Sequence, residues 1–334
     1  MAATAYAANL ARAHWAGSAA DLDIHIEAYE GDIEGSFRVE SMFRSSGLTN
    51  YKSVAGRSNT WRGDRVGGAT VKGRKAGESL DSTRIVNEKL LITVDTTSYI
   101  RTPMDYQDDW TAPDFQSEYS AEHGSAHAKS FDQAHIIQLI KAGAWVAPAS
   151  LKASGAFNDG LSYTMTGYAA QTDAELKADL IVQNHKKALA EFVKRDIGGS
   201  LAEFVTLIEP DTFNVLLDHK KLMNVDFQGG NGDNNFAQRR IAWLNGIKVI
   251  ETPRFPTGAI AAHHLGPAFN VSADEAKAKM ILFHPRKTLV TVEAQGMVVR
   301  VWDDKGEFCN VLDSYTMYTV GLKRGDAVAV FFTD

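Results

Sequence analysis

A single cysteine, Cys309, stands in 334 residues. No intrachain disulfide and no multi-cysteine metal site can form, which suits a reducing compartment. Its place in a strand-like run reads as a small core residue rather than a nucleophile. Long apolar runs are also missing: no stretch approaches the roughly 18 residues of a membrane span. The alanine-rich start, residues 1–20, has neither a basic n-region nor a continuous apolar core, so a secretory leader is not expected. An excess of basic charge is missing too. With 35 Lys+Arg against 41 Asp+Glu the net charge is −6, unlike the basic footprint of a dedicated nucleic-acid binder.

Catalytic signatures are just as scarce. G-x-S-x-G does not occur, and no Ser/His/Asp set can be selected from spacing. Gly68-x-x-x-x-Gly73 opens like a phosphate-binding loop, but Arg74-Lys75 replaces the required K-[ST]. Glu122-His123-x-x-x-His127 sets two imidazoles one helical turn apart, with His135 two turns further on. A zinc hydrolase needs the glutamate between the histidines, whereas here it precedes them. Polar residues on a packed helix are the plainer reading. His263-His264 lies in a Gly/Ala-rich loop, and Arg324-Gly325-Asp326 reads as a turn between strands. No cofactor is expected, and no internal repeat is found.

What is present is a basic, glycine-rich stretch from Tyr51 to Asp95. Between Lys52 and Lys89 stand nine Lys/Arg and four Asp/Glu, with glycines at 56, 63, 67, 68, 73 and 77. The flanks, Lys52–Val54 and Ile85–Val94, alternate apolar and polar residues, predicting a long β-hairpin of about 55 Å with some seventeen residues a side. A lone two-stranded hairpin is marginal in water, so the arm is expected to lie on another subunit. From Arg101 to His135 the charge reverses: Asp105, Asp108, Asp109, Asp114, Glu118, Glu122 and Asp132 face only Arg101 and Lys129. Complementary blocks of this kind steer encounter and set register. Arg62, Arg65, Lys72, Arg74 and Lys75 are therefore expected against Asp105, Asp108, Asp109, Asp114 and Glu118 of a neighbour.

Along the rest of the chain, Asp21–Arg44 reads as a short helix and extended connection carrying Leu22, Ile26, Tyr29, Ile33, Phe37 and Phe43. Pro113 at N1, early acids and Lys141 before Gly143 predict a helix over 113–142. Residues 148–171 read as loop. Thr172-x-x-Glu175 predicts a capping box before an amphipathic helix that stops at Gly198-Gly199. A strand at Phe204–Ile208, a short helix after Pro210 and a hairpin about Asn245-Gly246 follow. The last strands are Met280–His284, Met297–Trp302, Phe308–Val320 and Ala327–Phe332. The fold class is α+β, and the length suggests two lobes or one large one.

Several short motifs keep a shared order: Gly77-Glu78-Ser79-Leu80-Asp81, Glu88 through Asp95, and Ser117-Glu118-Tyr119 with Gly124 and Asp132. Further on come Glu209-Pro210-Asp211-Thr212-Phe213, Asn245 through Pro253, and Gly321 through Val330. Over about residues 25–334 this order resembles tailed-bacteriophage major capsid proteins of the Hong Kong 97 fold, closest to those of short-tailed T-odd podophages. The first twenty residues and the 256–275 loop match nothing in that pattern. The resemblance implies an N-terminal arm over 1–50 and an extended loop over 51–95. It also implies a peripheral domain over 96–155 and 280–334, with the spine helix, and an axial domain over 156–279. By the same resemblance the chain is a non-enzymatic virion protein, assembled in the host bacterial cytoplasm as hexamers and pentamers into an icosahedral head. Its partners would be itself, a scaffolding protein, a portal protein and packaged double-stranded DNA, touched sparsely and without sequence preference on the inner surface; no membrane is implied. Some relatives cross-link a loop lysine to a neighbour's asparagine, roles open here to Lys72 or Lys75 and Asn310, though an uncross-linked shell is the plainer expectation. An encapsulin-like compartment shell shares the fold and is the alternative. A metal-dependent enzyme using His123 and His127 is the reading from another class.

Overall fold

The computed structural model describes residues 41–56, 58–106, 115–197, 201–223, 234 and 238–334, without the side chains of 115–117. The architecture is built around helix α2 (Phe115–Ala142), after a single turn, α1 (Met42–Ser45). Every residue from 134 to 140 is buried. That stretch of α2 has no solvent face because it packs against sheet strands on more than one side, as a helix segment buried all round must. Phe131, Ile136, Ile137, Leu139 and Ile140 are at most 2% exposed, and each contributes roughly 2 kcal/mol by burial.

Two sheets flank it. The first has the order β1 (Asn50–Ser53), β10 (Leu289–Asp304), β11 (Cys309–Leu322), β4 (Ser98–Asp105). Strand β1 runs parallel to β10, and the other pairs are antiparallel. The second has the order β5 (Leu161–Met165), β12 (Val328–Thr333), β9 (Ala278–Phe283), β6 (Val205–Ile208), β8 (Ile247–Glu251), β7 (Trp243–Leu244). A separate two-stranded ribbon pairs β2 (Thr60–Val66) with β3 (Asn87–Thr93).

The fold departs from the sequence reading at several points. Lys52 belongs to β1, which pairs with β10 rather than with the arm, because a three-residue flank is too short to hold a hairpin. The chain turns at Gly56, with φ +69°, and the ladder begins at Thr60. Seven paired residues per strand give about 23 Å of regular ribbon, less than half the expected length. Strands β9 and β12 lie against the spine helix as expected and also form the middle of the six-stranded sheet. Their continuous apolar runs, Met280–Phe283 and Val328–Phe331, are buried throughout, as central strands covered on both faces require. The 148–171 stretch, expected as loop, holds α3 (Ala149–Ala153) and β5.

The amphipathic helix α4 (Ala174–Lys194) is capped by Asp173, whose carboxylate accepts from the Glu175 N–H at 2.9 Å, so the cap falls one residue after Thr172. It ends at Lys194, with Asp196 at φ +52°; Gly198 and Gly199 lie outside the described residues. Helix α5 (Pro210–Leu217) starts at its proline as expected. The Asn245-Gly246 turn joins β7 to β8 with φ of +51° and +81°, the positive pair a type I′ hairpin needs.

Histidines fasten the spine helix to the first sheet. His123 Nε2 lies 2.8 Å from Thr102 Oγ1 on β4, and its Nδ1 lies 3.0 Å from Ser314 Oγ on β11. The same hydroxyl is 3.1 Å from His127 Nε2. His135 donates from Nδ1 to the Phe131 carbonyl at 2.7 Å, and its Nε2 lies 2.7 Å from Thr291 Oγ1 on β10. Asp132, expected as part of the acidic surface, is instead 1% exposed. Its carboxylate accepts from Ser41 Oγ, Met42 N and Phe43 N, tying the start of α1 to the spine.

Two outcomes follow from this packing. A Cβ at Gly160 would stand 2.0 Å from the Ala142 carbonyl oxygen, a backbone atom that cannot swing aside. Gly160→Ala is expected to destabilise by about 1–3 kcal/mol, read as a lower midpoint of chemical denaturation. Burial lowers the pKa of His127 and His135 from 6.5 to about 4, and lowers that of His123. The unfolded chain takes up these protons near pH 6.5, the folded chain only near pH 4. Stability is therefore complete above pH 6.5 and is lost as pH falls towards 4, by roughly 3 kcal/mol for each of the two lower groups. Thermal unfolding from pH 8 to pH 4 should show this acid slope, and His127→Asn should make it shallower.

Candidate assembly interface

The ribbon β2–β3 is anchored at one end and bare at the other. At its base, Trp61, Leu90 and Ile92 pack with Val54, Val94, Val290 and Val292. Arg65 donates from Nε to the Lys323 carbonyl at 2.8 Å and from Nη2 to the Leu322 carbonyl at 2.9 Å. Its guanidinium also sits 5.4 Å from the centre of the Trp145 ring. Beyond the ladder, Gly67 N–H reaches the Val86 carbonyl and Gly68 N–H reaches Ser154 Oγ. Part of the arm thus finds cover in its own chain, which the sequence reading did not foresee.

From residue 69 to residue 85 every side chain is exposed. Val71 is 98% and Leu80 82% exposed, unusual for large apolar groups on a segment carrying so much charge. The tip is held by its own polar contacts. Lys72 pairs with Asp81, Arg74 Nε donates to the Glu78 carbonyl at 2.6 Å, and Lys75 N–H donates to Glu78 Oε2 at 3.0 Å. Gly77, at φ +94°, supplies the turn that brings Glu78 back to Arg74.

The ten residues expected to form the interface fall into three groups. Arg62, Lys72, Arg74 and Lys75 lie exposed along one arm, Arg62 beside Asp64 at 3.4 Å. Arg65 is 9% exposed and spends its guanidinium on carbonyls of its own chain. On the acidic side, Asp105 ends β4 opposite Cys309 and Glu118 is exposed in the first turn of α2. Asp108, Asp109 and Asp114 lie outside the described residues.

The sequence reading missed further acids at the free end of the β10–β11 hairpin. Burial raises the Cys309 thiol pKa, and Asp304, Glu307, Asp105 and Asp303 raise it further, so these four carboxylates share one neighbourhood. The run Asp303-Asp304-Lys305-Gly306-Glu307 was legible as an acidic turn. Only the β4–β11 register, with Asp105 opposite Cys309, adds Asp105 to it.

Other candidates resolve into structure. His123 and His127 turn inward onto one serine hydroxyl, and among the described residues no group of three or more His, Cys, Asp or Glu could hold a metal. Asn310 is 5% exposed, held within β11 between β10 and β4. In this conformation it is closed to a lysine from another copy. No described helix is long and apolar enough to cross a membrane.

Neither protein-family models nor curated proteins show a match to this chain. Solved structures do. One chain from the mature capsid of bacteriophage PhiM1 is 46% identical over 99% of this chain and 98% of its own, with a TM-score of 0.79. The capsid of cyanophage P-SCSP1u matches over 86% of each chain at 14% identity and a TM-score of 0.72. A virus-like particle from Pyrococcus furiosus matches over 92% of this chain and 99% of its own at 12% identity and a TM-score of 0.55. The last two likenesses show the fold alone. Identity of 46% along essentially the whole chain, on a spine helix between two sheets with a projecting arm, shows more: the chain belongs to the bacteriophage major capsid proteins of the Hong Kong 97 fold.

Proposed function

We propose that this capsid protein forms its shell by laying the 69–85 tip of the arm across a neighbouring subunit. Hexamers and pentamers of the chain then close into an icosahedral head around double-stranded DNA. The observation that carries this reading is the bare tip, with Val71 98% and Leu80 82% exposed. Apolar groups so placed gain from burial only when another surface arrives. Arg62, Lys72, Arg74 and Lys75 supply the charge that steers the tip towards Asp105, Glu118 and the Asp303–Glu307 turn of that neighbour. The expected acids Asp108, Asp109 and Asp114 belong to the same proposed surface. Arg65 acts from the base, setting the direction in which the arm leaves its own subunit.

A shell built this way needs heterologous contacts, with different surfaces offered to the two neighbours. The arm, the spine helix and the 209–255 segment supply three. The order of motifs supports a podophage-type head assembled in the bacterial cytoplasm with a scaffolding protein and a portal. Contact with DNA is sparse and independent of sequence. Tight phosphate binding needs many unpaired cations to release counterions, whereas this chain is net acidic and its arm is committed to protein. A net acidic lining also lets DNA slide inward without adhering.

Replacing Lys72, Arg74 and Lys75 together by Glu is expected to abolish shells in electron micrographs of protein co-expressed with its scaffold. Subunit stability should change by about 0.5 kcal/mol or less for each substitution, since all three are surface groups. Normal shells from this variant would refute the arm contact. In gel-shift assays at physiological salt, capsomers should not bind DNA at nanomolar concentration. Binding that tight would make the arm a nucleic-acid surface.

A further inference from the structure

A cleft of about 530 Å³ opens between the middle of α2 and the 253–264 loop, which runs into the 256–275 stretch for which the family pattern offered no counterpart. Lys129 and Gln133 line it from the helix, and Arg254, Ile260, His263 and His264 from the loop. The loop is firmly seated: Ile260 bridges to Val271, Gln138 donates to the Ala268 carbonyl at 3.1 Å, and Lys141 pairs with Glu275 at 3.1 Å. The cleft therefore belongs to the packed body of the subunit.

Its chemistry is cationic on an apolar floor. Lys129 has its nearest carboxylate, Glu122, at 4.0 Å, and its side chain is about half exposed. Among the described residues no carboxylate comes within ion-pair distance of Arg254. The charge of Asp132 is felt there, but both oxygens of that carboxylate are occupied by Ser41, Met42 and Phe43. His264 Nε2 lies 2.9 Å from Ser130 Oγ. His263 Nδ1 accepts from Leu265 N–H at 3.2 Å, so its Nε2 carries the proton, and that donor is buried without a partner. Burial lowers the pKa of both histidines, so at neutral pH the positive charge of the cleft rests on Lys129 and Arg254.

The chain itself holds a fitting occupant. Residues 21–37 carry Asp21, Asp23, Glu27, Glu30, Asp32 and Glu34 and no Lys or Arg, interleaved with Leu22, Ile26, Tyr29, Ile33 and Phe37. Residues 1–40 lie outside the described structure, and the described chain starts at Ser41, hydrogen-bonded to Asp132 at 2.8 Å. Asp132 is one helical turn from Lys129, with Cβ atoms about 5–6 Å apart. Glu34 is seven residues upstream of Ser41, a span of up to about 24 Å when extended. The cleft is thus within easy reach of the same chain.

We infer that this cleft holds the acidic segment of the chain's own N-terminal arm, with carboxylates among Glu30, Asp32 and Glu34 meeting Lys129 and Arg254. The neighbouring apolar side chains then cover the Phe255 and Ile260 wall. This goes beyond the assembly reading and does not rest on it, since the contact lies within one subunit.

Zero-length carbodiimide coupling of the purified full-length protein tests it, with light and nitrogen-15-labelled subunits mixed before reaction and peptides read by mass spectrometry. Lys129 is expected to join Glu30, Asp32 or Glu34 in peptides of a single isotope. Mixed-isotope products alone would give the cleft to another copy, and Lys129 joined only to Glu122, or to nothing, would also overturn the inference. As a second measurement, the Lys129→Glu/Arg254→Glu variant changes exposed or half-exposed groups only. Chymotryptic cleavage after Tyr29 and Phe37 should rise by about fivefold or more as the segment is released. An unchanged cleavage rate would refute the docking.

Discussion

The constraint on which the rest depends is the complete burial of residues 134–140 of the spine helix. A stretch in which seven successive residues are buried has no surface left to give, so both sheets and the 253–277 loop must close on it together. This explains why the sheets are not independent layers. Strands β9 and β12 pass through the six-stranded sheet while β10 and β11, adjacent in sequence, build the other. The chain crosses between them at α6 (Pro285–Thr288) and at the Gly325–Ala327 turn. The apolar contact is not specific by itself. Specificity comes from polar groups buried within it, notably His123, His127 and His135 against Thr102, Ser314 and Thr291. Each would leave an unsatisfied partner if the helix shifted by one residue.

A second junction fixes where the arm starts. The ring of Trp145, just past the end of the spine helix, sits so close to Gly325 that a Cβ there would lie 2.6 Å from it. Arg65 stands over the same ring and donates to the Leu322 and Lys323 carbonyls. Arg324 covers Phe157 at 4.4 Å and pairs with Asp326, which is fully buried and also accepts from Asn158 N–H. Spine, arm and the turn into the last strand therefore meet in one cluster. Movement of the helix end would be transmitted to the base of the ribbon, because interiors packed this closely shift as units.

Local chemistry made much of this legible. Pro210, Asn245-Gly246 and the long helix ending near Gly143 stood where the sequence placed them, since caps and turns obey rules acting over a few residues. Partnership across the chain was not legible. Lys52 looked like half of a hairpin, but β10 offered it an edge some 240 positions away. Met280–Phe283 and Val328–Phe331 read correctly as strands, yet nothing local says to which sheet a buried strand belongs. Among the interface residues, the charge of Arg65 was plain and its burial was not. Burial there follows from Trp145 and the 322–323 carbonyls, which only the fold brings together. Asp132 is the same case on the acidic side.

The arm divides labour along its length in a way that bears on the proposed shell. Its base is defined by ladder hydrogen bonds, Trp61 and Arg65, so its direction is a property of the subunit. Its tip has no ladder beyond the Gly67–Val86 contact and relies on short-range bonds around Glu78 and Asp81. Exposed pairs of that kind are each worth about 0–1 kcal/mol, so they hold a shape while giving way readily to a better partner. In the proposed shell, subunits around five-fold and six-fold positions would meet their neighbours at slightly different angles. A fully laddered hairpin of the expected length would fit one of those angles and strain at the other. A fixed base carrying an adaptable tip meets both with the same residues, and the glycines at 67, 68, 73 and 77 are concentrated in the part that must adapt.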